Sequence, residues 1–400
     1  MPVYLNDVPA DAKVIARPLT MRWIIGLIII LMIGITLTLW QWTGERNGFV
    51  FWFTALGLPF CLWGVLFSCR RIGYKIGKNG EAGWNYECEV IKNDEIYRGK
   101  RFAWVLDTCV QTQAGHGVKS LLTVIDQGIP LMDTIKPRVG NLAVRHSRLT
   151  EFDQNPAALE TVINKAAIRV KSVLERLPET LEYCIVFESD AGLSEQEEAT
   201  LLHLIMLKSE RSLYRLSVSG PACVDYWLDH HWHRPSALIV LTLTLRPTPK
   251  ENDAEAITAM ILCNRKSHLF PDAVRLHRPQ KSHTDNLTQN MTHCLLWAQI
   301  HPEEITGIWM TGEAVTSSPG LNQACENNRA TLSLTEDIKN IDQIIGFSGK
   351  SSFWIAVALA GEVVQEKGVQ LIAAHSDPNN DDVWLATITA QERQKEVNRE

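Results

Sequence analysis

Two long apolar segments near the N-terminus dominate the hydrophobic pattern of this chain. Trp23–Trp40 and Val50–Cys69 contain no ionised side chain. At about 1.5 Å of rise per residue, a helix over either segment crosses or nearly crosses a hydrocarbon core roughly 30 Å thick. Only Gln41–Phe49 separates them, so they predict a two-helix transmembrane hairpin. The alternative is a buried helical pair in a soluble domain. A signal peptide is disfavoured because a second span follows at once.

Basic residues flank both outer ends of the predicted hairpin. They are Lys13, Arg17 and Arg22 before the first segment and Arg70, Arg71, Lys75 and Lys78 after the second. The turn between the segments has only Arg46, beside Glu45. Positive charge close to a membrane stays on the cytoplasmic side. We therefore expect a multi-pass protein of the bacterial inner membrane, with the lipid bilayer as a partner and the large soluble part in the cytoplasm.

These patterns divide the chain into five segments. Residues 1–22 are a cytoplasmic N-terminal tail and 23–69 the hairpin. Residues 70–100 are a polar, glycine-rich connector, 101–390 a cytoplasmic domain and 391–400 a charged tail.

Helical and β-rich segments alternate along the soluble part, which predicts an α/β domain. Strands are predicted at Phe102–Val110, Leu181–Glu188, Leu213–Ser219, Ala237–Leu245, Ala256–Cys263, Thr306–Thr311, Val369–Ala374 and Val383–Thr389. Helices are predicted to begin at Asn155-Pro156, after a capping box of Ser194 and Glu197, near Ala222, near Asp285 and at Ser351. Leu121–Gln127 fits a strand or a short helix that Gly128 ends. Ile338–Ile345 is expected to approach a strand.

Composition and charge narrow the classes of function. The net charge of −6 gives no support for nucleic-acid binding. The nine cysteines are odd in number and contain no CxxC pair, which indicates reduced cysteines rather than a disulfide framework or a cysteine-rich zinc site. The chain has no GxxxxGK[ST] phosphate loop and no convincing GxGxxG motif. We therefore expect no cofactor.

Four segments resemble motifs of the ketoacyl synthases, condensing enzymes of the thiolase superfamily, and they occur in the order of that family. VSGPACVDYWLDH resembles the strand–TAC–helix turn that carries the nucleophile, and DAEAITAMIL resembles the strand GEGAAALVLE. TDNLTQNMTHCLLWAQI followed by HPEEITGIWMTGEAV is similar to the stretch that ends in HGTGT. NIDQIIGFSGKSSFWIAVALAGEVV is similar to the NIGHTxxAAG segment and its following helix.

The resemblance implies a thiolase-like layered α/β domain over residues 101–390. The chemistry of the family uses a cysteine that accepts the acyl group and two histidines that assist decarboxylation and stabilise the oxyanion. The cysteine position is Cys223, whose alternative role is that of a small core residue. The histidine positions hold Thr311, before Gly312, and Phe347, after Gly346. Neither side chain can act as an imidazole does, so the resemblance implies a domain that has lost the condensing activity.

A second cluster of polar residues follows Cys223 directly. Asp225 and Asp229 would share one face of a helix, and His230, His231 and His233 stand at its end. Carboxylates and imidazoles are ligands of zinc and iron, so Asp225, Asp229, His230 and His233 are candidate metal ligands. The HExxH spacing is absent. The alternative is a polar helix end whose imidazoles lie near the negative end of the helix dipole.

Three hypotheses of function follow. The leading one is a membrane-anchored, non-catalytic thiolase-like protein that acts as an adaptor or assembly partner for other proteins. A hairpin with a large cytoplasmic domain is similar in architecture to accessory inner-membrane proteins of bacterial type VI secretion clusters, which implies secretion-system components as partners. The first alternative is an enzyme that handles acyl groups through Cys223, on lipid-linked or CoA substrates. The second is a metal-dependent hydrolase. A homodimer is implied by the resemblance alone.

Overall fold

The computed structural model describes residues 5, 8–44, 46, 48–149, 158–333, 336–375 and 381–391. The chain forms two compact units. The smaller one lies within residues 4–95, and the larger one takes up the chain from Ile96 onward.

The smaller unit contains the predicted hairpin. Helix α1 (Thr20–Gln41) is followed by the short α2 (Phe49–Trp52), a π-helical turn (Phe53–Gly57) and the long α3 (Leu58–Gly99). Every residue of α1 is at least partly exposed. By length and composition, α1 and the continuous helix that begins at Phe49 could each cross a membrane.

The two helices of the hairpin approach each other closely at Gly34. A Cβ atom on Gly34 would lie 2.2 Å from Pro59 Cγ and 2.9 Å from the carbonyl oxygen of Ala55, so only glycine fits there. In a regular α-helix the backbone N–H of residue 59 would donate to the carbonyl of Ala55, but Pro59 has no N–H. Ala55 belongs to the π-helical turn that precedes this proline. Small residues at such crossings let helix backbones pack in lipid. Farther along, Trp63 Nε1 donates to the carbonyl of Trp23 at 2.9 Å.

The segment 70–100, expected to be a polar connector, is helical. It forms the C-terminal part of α3, in which glycines would lower helix stability in isolation. The N-terminal tail packs along this part of the helix. Ala12 N donates to Asn85 Oδ1 at 2.8 Å, and Ile15 N donates to Glu81 Oε2 at 3.1 Å. The absence of a side chain at Gly77 leaves room for Ile15, whose Cδ1 would lie 2.7 Å from an added Cβ.

The larger unit alternates strands and helices, as the α/β prediction requires. Its first half contains β1 (Phe102–Thr112), β2 (Gly115–His116), α4 (Val118–Gln127), β3 (Asp133–Ile135), β4 (Val144–Ser147), α5 (Ala158–Leu174), β5 (Glu182–Asp190), α6 (Glu195–Ser209), β6 (Leu213–Arg215), α7 (Ala222–His230), β7 (Ser236–Thr244), β8 (Asp253–Ala254) and β9 (Ala256–Cys263). Its second half contains β10 (Val274–His277), β11 (Gln280–His283), α8 (Leu287–Ala298), β12 (Ile305–Thr311), α9 (Glu313–Thr316), α10 (Gly320–Asn327), β13 (Ile338–Asn340), α11 (Asp342–Ile345), α12 (Ser352–Lys367), β14 (Val369–His375) and β15 (Asp382–Thr389).

The main sheet repeats one five-strand pattern. The strand order β6-β5-β7-β9-β1 in the first half corresponds to β13-β12-β14-β15-β10 in the second, and β1 pairs with β10 where the halves join. In each half the first three strands are parallel and the next two pairings are antiparallel. Helices α7 and α12 precede equivalent strands, β7 and β14. The sequence analysis did not detect this internal duplication.

Side chains that alternate along the strands pack against different helices on the two faces of the sheet. In β7, Leu238 and Val240 face a central cluster that contains the buried helices α7 and α12, whereas Ile239 and Leu241 face α5 and α6. In β14, Ile372 faces the central cluster. The residues on the opposite side of that strand pack with α8 and α10. Successive side chains of a strand point to opposite faces, so each half of the main sheet packs helices on both of its sides. The unit therefore has five layers: α5 and α6, the first half of the sheet, α7 and α12, the second half of the sheet, and α8 and α10.

Most predicted elements are present, and the differences are local. Leu121–Gln127 is helical, within α4, and Gly128 ends it in the left-handed conformation. The capping box is confirmed, because Ser194 and Glu197 bond each other's backbone N–H. The strand expected over Leu213–Ser219 ends at Arg215. Ile338–Ile345 divides into β13 and α11, and Asn155-Pro156 lies outside the described residues.

Candidate functional site

A cavity of about 1240 Å³ opens beside the ends of several strands of the larger unit. Its wall includes Glu188 near the end of β5, Gly220-Pro221 just before α7, Phe347 after α11, and His375 at the end of β14. Segments from both halves of the duplicated sheet therefore meet at one cavity, and all four of the resembling motifs reach it.

Cys223 lies directly behind this wall. It is the second residue of α7 and is fully buried, whereas the neighbouring Gly220 and Pro221 line the cavity. Burial raises the pKa of the Cys223 thiol well above its usual value, and the charge of Glu188 raises it further. A reactive thiolate requires the opposite environment, with cations or an imidazole beside the sulfur. The thiol is therefore neutral at physiological pH.

Glu188 is a buried carboxyl group that bonds the turn just before α7. One of its oxygens accepts a hydrogen bond from the backbone N–H of Gly220. Burial raises the pKa of Glu188, and the Gly220 hydrogen bond and the charge of Lys350 offset only part of that effect. This side chain places a carboxyl group where a condensing site would need a cation or an imidazole.

Thr311, the first expected histidine position, has a structural role. Its side chain is fully buried at the end of β12, and Oγ1 donates to Asp342 Oδ1 at 2.7 Å. The backbone N–H of Gly312 donates to the other oxygen of Asp342. Burial raises the pKa of Asp342 by more than these two bonds lower it. Thr311 and Gly312 thus supply hydrogen-bond donors to both oxygens of the partly buried Asp342 carboxyl group.

Phe347, the second expected histidine position, lies in the cavity wall. Its backbone N–H donates to the carbonyl of Asn252 at 2.7 Å, and its carbonyl accepts from Ala254 N at 2.9 Å. The preceding Gly346 has φ +91°, and an added Cβ would lie 2.7 Å from the Asn252 oxygen, so glycine is required there. The glycine of the motif is kept, whereas the side chain that follows it is apolar.

His375 brings an imidazole to the cavity from a position that the sequence analysis missed. It ends β14, is 5% exposed and stacks on Phe347 with ring centroids 6.4 Å apart. Its charge lowers the pKa of Asp342, although burial has the larger, opposite effect. The backbone of His375 also passes close to Gly312. An added Cβ on Gly312 would lie 2.2 Å from the carbonyl oxygen of His375, so only glycine fits at that position. The available signal was a histidine directly after the predicted strand Val369–Ala374.

Solved ketosynthase structures resemble the fold of this chain. The ketosynthase from module 6 of the bacillaene synthase of Bacillus subtilis 168 aligns with a TM-score of 0.56 at 9% identity, covering 73% of this chain and 71% of that one. Ketosynthase twelve of the bacillaene synthase of Bacillus amyloliquefaciens gives 0.51 at 10% identity, with coverage of 74% and 76%. The chain has the thiolase-like fold of the ketosynthases.

The ketosynthase fold is the extent of this similarity. The PfaC keto synthase–chain length factor aligns with a TM-score of 0.52 at 8% identity, covering 73% of this chain, which spans only 43% of the PfaC chain. No family model matches the sequence, and no curated protein does. At these identities the comparisons establish the fold, and the chemistry must be argued from the residues present.

The wall of the cavity carries more carboxyl groups than cations. The carboxyl side chains are those of Glu188, Asp190, Glu251, Asp253, Glu313, Asp342 and Asp381, and the cationic ones those of Arg145, Arg246, Lys250 and Lys350. Arg246 is paired with Asp190 at 2.6 Å and lies 3.7 Å from Asp253. This charge balance disfavours ligands that carry several phosphates.

The carboxyl groups proposed as metal ligands bind a guanidinium group instead. Arg278 is 1% exposed and bonds both Asp225 and Asp229, the latter at 2.7 Å. Arg101 Nη1 lies 3.7 Å from Asp229 Oδ1. Desolvation raises the pKa of Asp229, but the hydrogen bond and the charges of Arg278 and Arg98 together lower it. The shared helix face was predicted correctly, and its partner in the fold is a buried cation.

The candidate histidines point to separate partners. His230 Nδ1 is 2.8 Å from the carbonyl of Tyr226 and stacks on that ring, with centroids 4.0 Å apart. His231 Nδ1 lies 3.2 Å from Glu182 Oε2, and His233 is exposed. Among the described residues no group of three or more His, Cys, Asp or Glu side chains is placed to hold a metal ion.

Proposed function

We propose that this chain is a membrane-tethered protein with a ketosynthase fold that does not condense acyl groups and serves as an adaptor or assembly partner. The observation that carries this proposal is the environment of Cys223. The thiol is fully buried, its nearest ionisable influence is the carboxyl group of Glu188, and the positions of the two family histidines hold Thr311 and Phe347. A fold kept without its reactive groups is best explained by binding rather than by catalysis.

The charge of the cavity supports the same proposal. Acyl-CoA substrates bring phosphate groups, and the seven carboxyl groups of the cavity wall outnumber its four Lys and Arg side chains. His375 is the one cavity-lining imidazole among the described residues, and it comes from β14 rather than from either motif position. The hydroxyl of Thr311 is already committed to Asp342.

The two apolar helices support membrane anchoring in this proposal. The basic flanks favour a hairpin with both ends in the cytoplasm of a bacterial cell and the ketosynthase-fold unit on that side. The partners we propose are proteins, including components of a type VI secretion system, and a second copy of the chain. Fusion of alkaline phosphatase to the C-terminus tests the orientation. Enzyme activity of that fusion in the periplasm would contradict it.

Acylation of the intact protein tests the loss of chemistry. We expect full-length protein, purified in detergent and incubated with an acyl-CoA, to show no stoichiometric mass increase at Cys223. Cys223→Ala provides the comparison, and Cys294→Ala, which removes another fully buried thiol, is the matched control. A stoichiometric adduct that is lost in Cys223→Ala and kept in Cys294→Ala would overturn the proposal.

Partner capture tests the adaptor function directly. We expect cross-linking in intact membranes to capture the same proteins with the wild type and with Cys223→Ala, because Cys223 takes no part in the surface. Loss of those partners in Cys223→Ala alone, with unchanged protein abundance, would contradict an adaptor that works without this thiol.

One observation favours the alternative, an enzyme that uses Cys223 on lipid-linked or CoA substrates. Gly220 and Pro221 form part of the cavity wall, so only a short segment separates the sulfur from the cavity. A rearrangement of this turn would expose the thiol. The adduct experiment decides between the two functions, because only the enzyme acquires an acyl group.

A further inference from the structure

Seven basic side chains are gathered at one end of the hairpin within the smaller unit. Lys13, Arg17 and Arg22 come from the N-terminal tail and the start of α1, and Arg70, Arg71, Lys75 and Lys78 come from α3. All seven side chains are exposed. We call this set the basic collar.

Contacts between the tail and α3 hold the two parts of the collar together. Trp84 Nε1 donates to the carbonyl of Ala10 at 3.0 Å, and Ile15 fits against Gly77. From residue 10 to residue 15 the tail thus passes from the level of Trp84 to that of Gly77, toward the hairpin. Arg17 therefore lies on a segment already aligned with the helix, near the level of Lys75.

Aromatic rings mark where the collar meets the apolar part of the hairpin. Trp23 and Phe67 make an edge contact at 5.5 Å, and Trp63 stacks on Phe67 at 5.0 Å. Tryptophan rings prefer the headgroup region of a bilayer. Arg22 is adjacent to Trp23, and Arg70 follows Phe67 by one helical turn, so in an inserted hairpin both guanidinium groups would lie near the lipid phosphates.

Few negative charges oppose the collar. Among the described residues of the tail and of α3 as far as Gly83, the carboxyl groups are those of Asp11 and Glu81. Glu81 bonds Lys78 Nζ at 2.6 Å and the backbone N–H of Ile15. Of the seven cations only Lys78 forms an ion pair with another described residue. The turn at the opposite end of the hairpin has a single basic residue, Arg46.

We propose that the basic collar is a binding site for the phosphate groups of anionic phospholipids. Arginine donates in a planar fork that matches phosphate oxygens, and four of the seven cations are arginines. Basic clusters directly beside a membrane span attract anionic lipid by about 1 kcal/mol for each cation near the surface. This inference rests on the membrane insertion proposed above and adds a lipid class to it.

The test compares lipid selectivity in two charge-matched variants. Full-length protein in detergent receives equal amounts of phosphatidylglycerol and phosphatidylcholine, and native mass spectrometry counts each bound lipid. One variant carries Arg17→Gln, Arg70→Gln, Arg71→Gln and Lys75→Gln. The control carries Lys119→Gln, Lys208→Gln, Arg215→Gln and Lys266→Gln, which remove the same charge from exposed sites in the larger unit.

We expect the wild type and the control to bind more phosphatidylglycerol than phosphatidylcholine. In the collar variant the ratio of bound phosphatidylglycerol to bound phosphatidylcholine should be roughly tenfold lower. Gly77→Val displaces Ile15 and should give an intermediate loss, and an unchanged ratio there would contradict the part assigned to the tail. Equal binding of both lipids by the wild type, or full selectivity in the collar variant, would overturn the proposal. So would complete release of phosphatidylglycerol by millimolar inorganic phosphate, because the site would then recognise phosphate in general.

Membrane insertion is tested separately from lipid selectivity. Extraction of cell membranes with alkaline carbonate should leave the wild type and the collar variant in the membrane fraction, since neither α1 nor the apolar part of α3 is altered. Release of the wild type would contradict the membrane anchor itself. Retention of both proteins together with unchanged lipid selectivity would contradict the lipid site alone.

Discussion

Two faces of α7 treat charge in opposite ways. On one face the thiol of Cys223 is fully buried and the carboxyl group of Glu188 acts on it, and both groups have a raised pKa. Asp225, in the same first turn, and Asp229, one turn later, share another face, where Arg278 bonds both of them. Catalytic chemistry would require compensating charge beside Cys223, whereas in this protein it is found beside the two aspartates.

This difference indicates what the helix does. A buried carboxylate is tolerated when a guanidinium group and its hydrogen bonds replace the water that it loses. The Arg278 cluster therefore fixes α7 between the sheets. The face of Cys223 needs no such compensation if its side chains stay neutral, and a neutral thiol does not attack an acyl group. One face of α7 is therefore held by a buried ion pair, and the other carries a thiol without a compensating cation.

The largest effect is expected from Arg278→Met. Loss of the guanidinium group leaves two carboxyl groups without their cation, which should lower the free energy of unfolding by about 3–5 kcal/mol. Urea unfolding of the full-length protein in detergent, followed by tryptophan fluorescence, measures it. The deficit should shrink as the pH falls, because both carboxyl groups then become neutral. A loss below about 1 kcal/mol would show that the cluster does not hold the helix.

Thr311→Val should have a smaller effect on the cavity side of the unit. The variant keeps the shape of the side chain but removes one of the two hydrogen bonds that Asp342 accepts from Thr311 and Gly312. Leaving a buried acceptor without one of its partners costs about 1–3 kcal/mol, which is the expected loss in unfolding free energy. Thr123→Val, at an exposed site on α4, is the matched control. Equal effects of the two substitutions would contradict the structural role of Thr311.

Opposite pKa shifts at the two sites predict opposite pH effects. The raised pKa of Asp342 means that its contribution to stability is fully present below the unfolded-state pKa and is lost as the pH rises through the folded-state value. The lowered pKa of Asp229 means that its contribution is present at neutral pH and is lost as the pH falls. In Asp342→Asn the free energy of unfolding should therefore fall less than in the wild type as the pH rises toward neutral. In Asp229→Asn it should fall less than in the wild type as the pH is lowered. Unfolding free energies measured from pH 3 to pH 7 compare the slopes, and parallel curves for both variants and the wild type would contradict these shifts.

The smallest effect is expected from Phe347→His. This substitution restores an imidazole at a partly exposed motif position, next to His375. We expect no acyl adduct on Cys223, because burial and Glu188 still raise the pKa of its thiol. Intact mass after incubation with an acyl-CoA measures the outcome. An adduct in Phe347→His that is absent in Phe347→Tyr would mean that a single imidazole restores the chemistry and would break the contrast between the two faces of α7.

Much of the fold followed from local patterns. The strands at Ala256–Cys263 and Val369–Ala374 and the capping box at Ser194 were visible because strand alternation and helix caps depend on neighbours a few residues apart. Short strands such as β3 and β8 were missed, because two or three residues carry no period. The helical nature of residues 70–99 was also missed, since it depends partly on the packing of the N-terminal tail, far away in the sequence.

The sequence by itself determined the two apolar helices, the α/β class and the order of motifs that led to the ketosynthase fold, because each depends on the type and spacing of nearby residues. Tertiary structure alone decided what the polar residues do. Arg278 lies 53 residues from Asp225 and turned a candidate metal site into a buried ion pair. His375 reached the cavity on a strand without a recognised motif, while the thiol of Cys223 was fully buried. Charge compensation depends on which side chains meet in space, and the fold brings them together from distant parts of the chain.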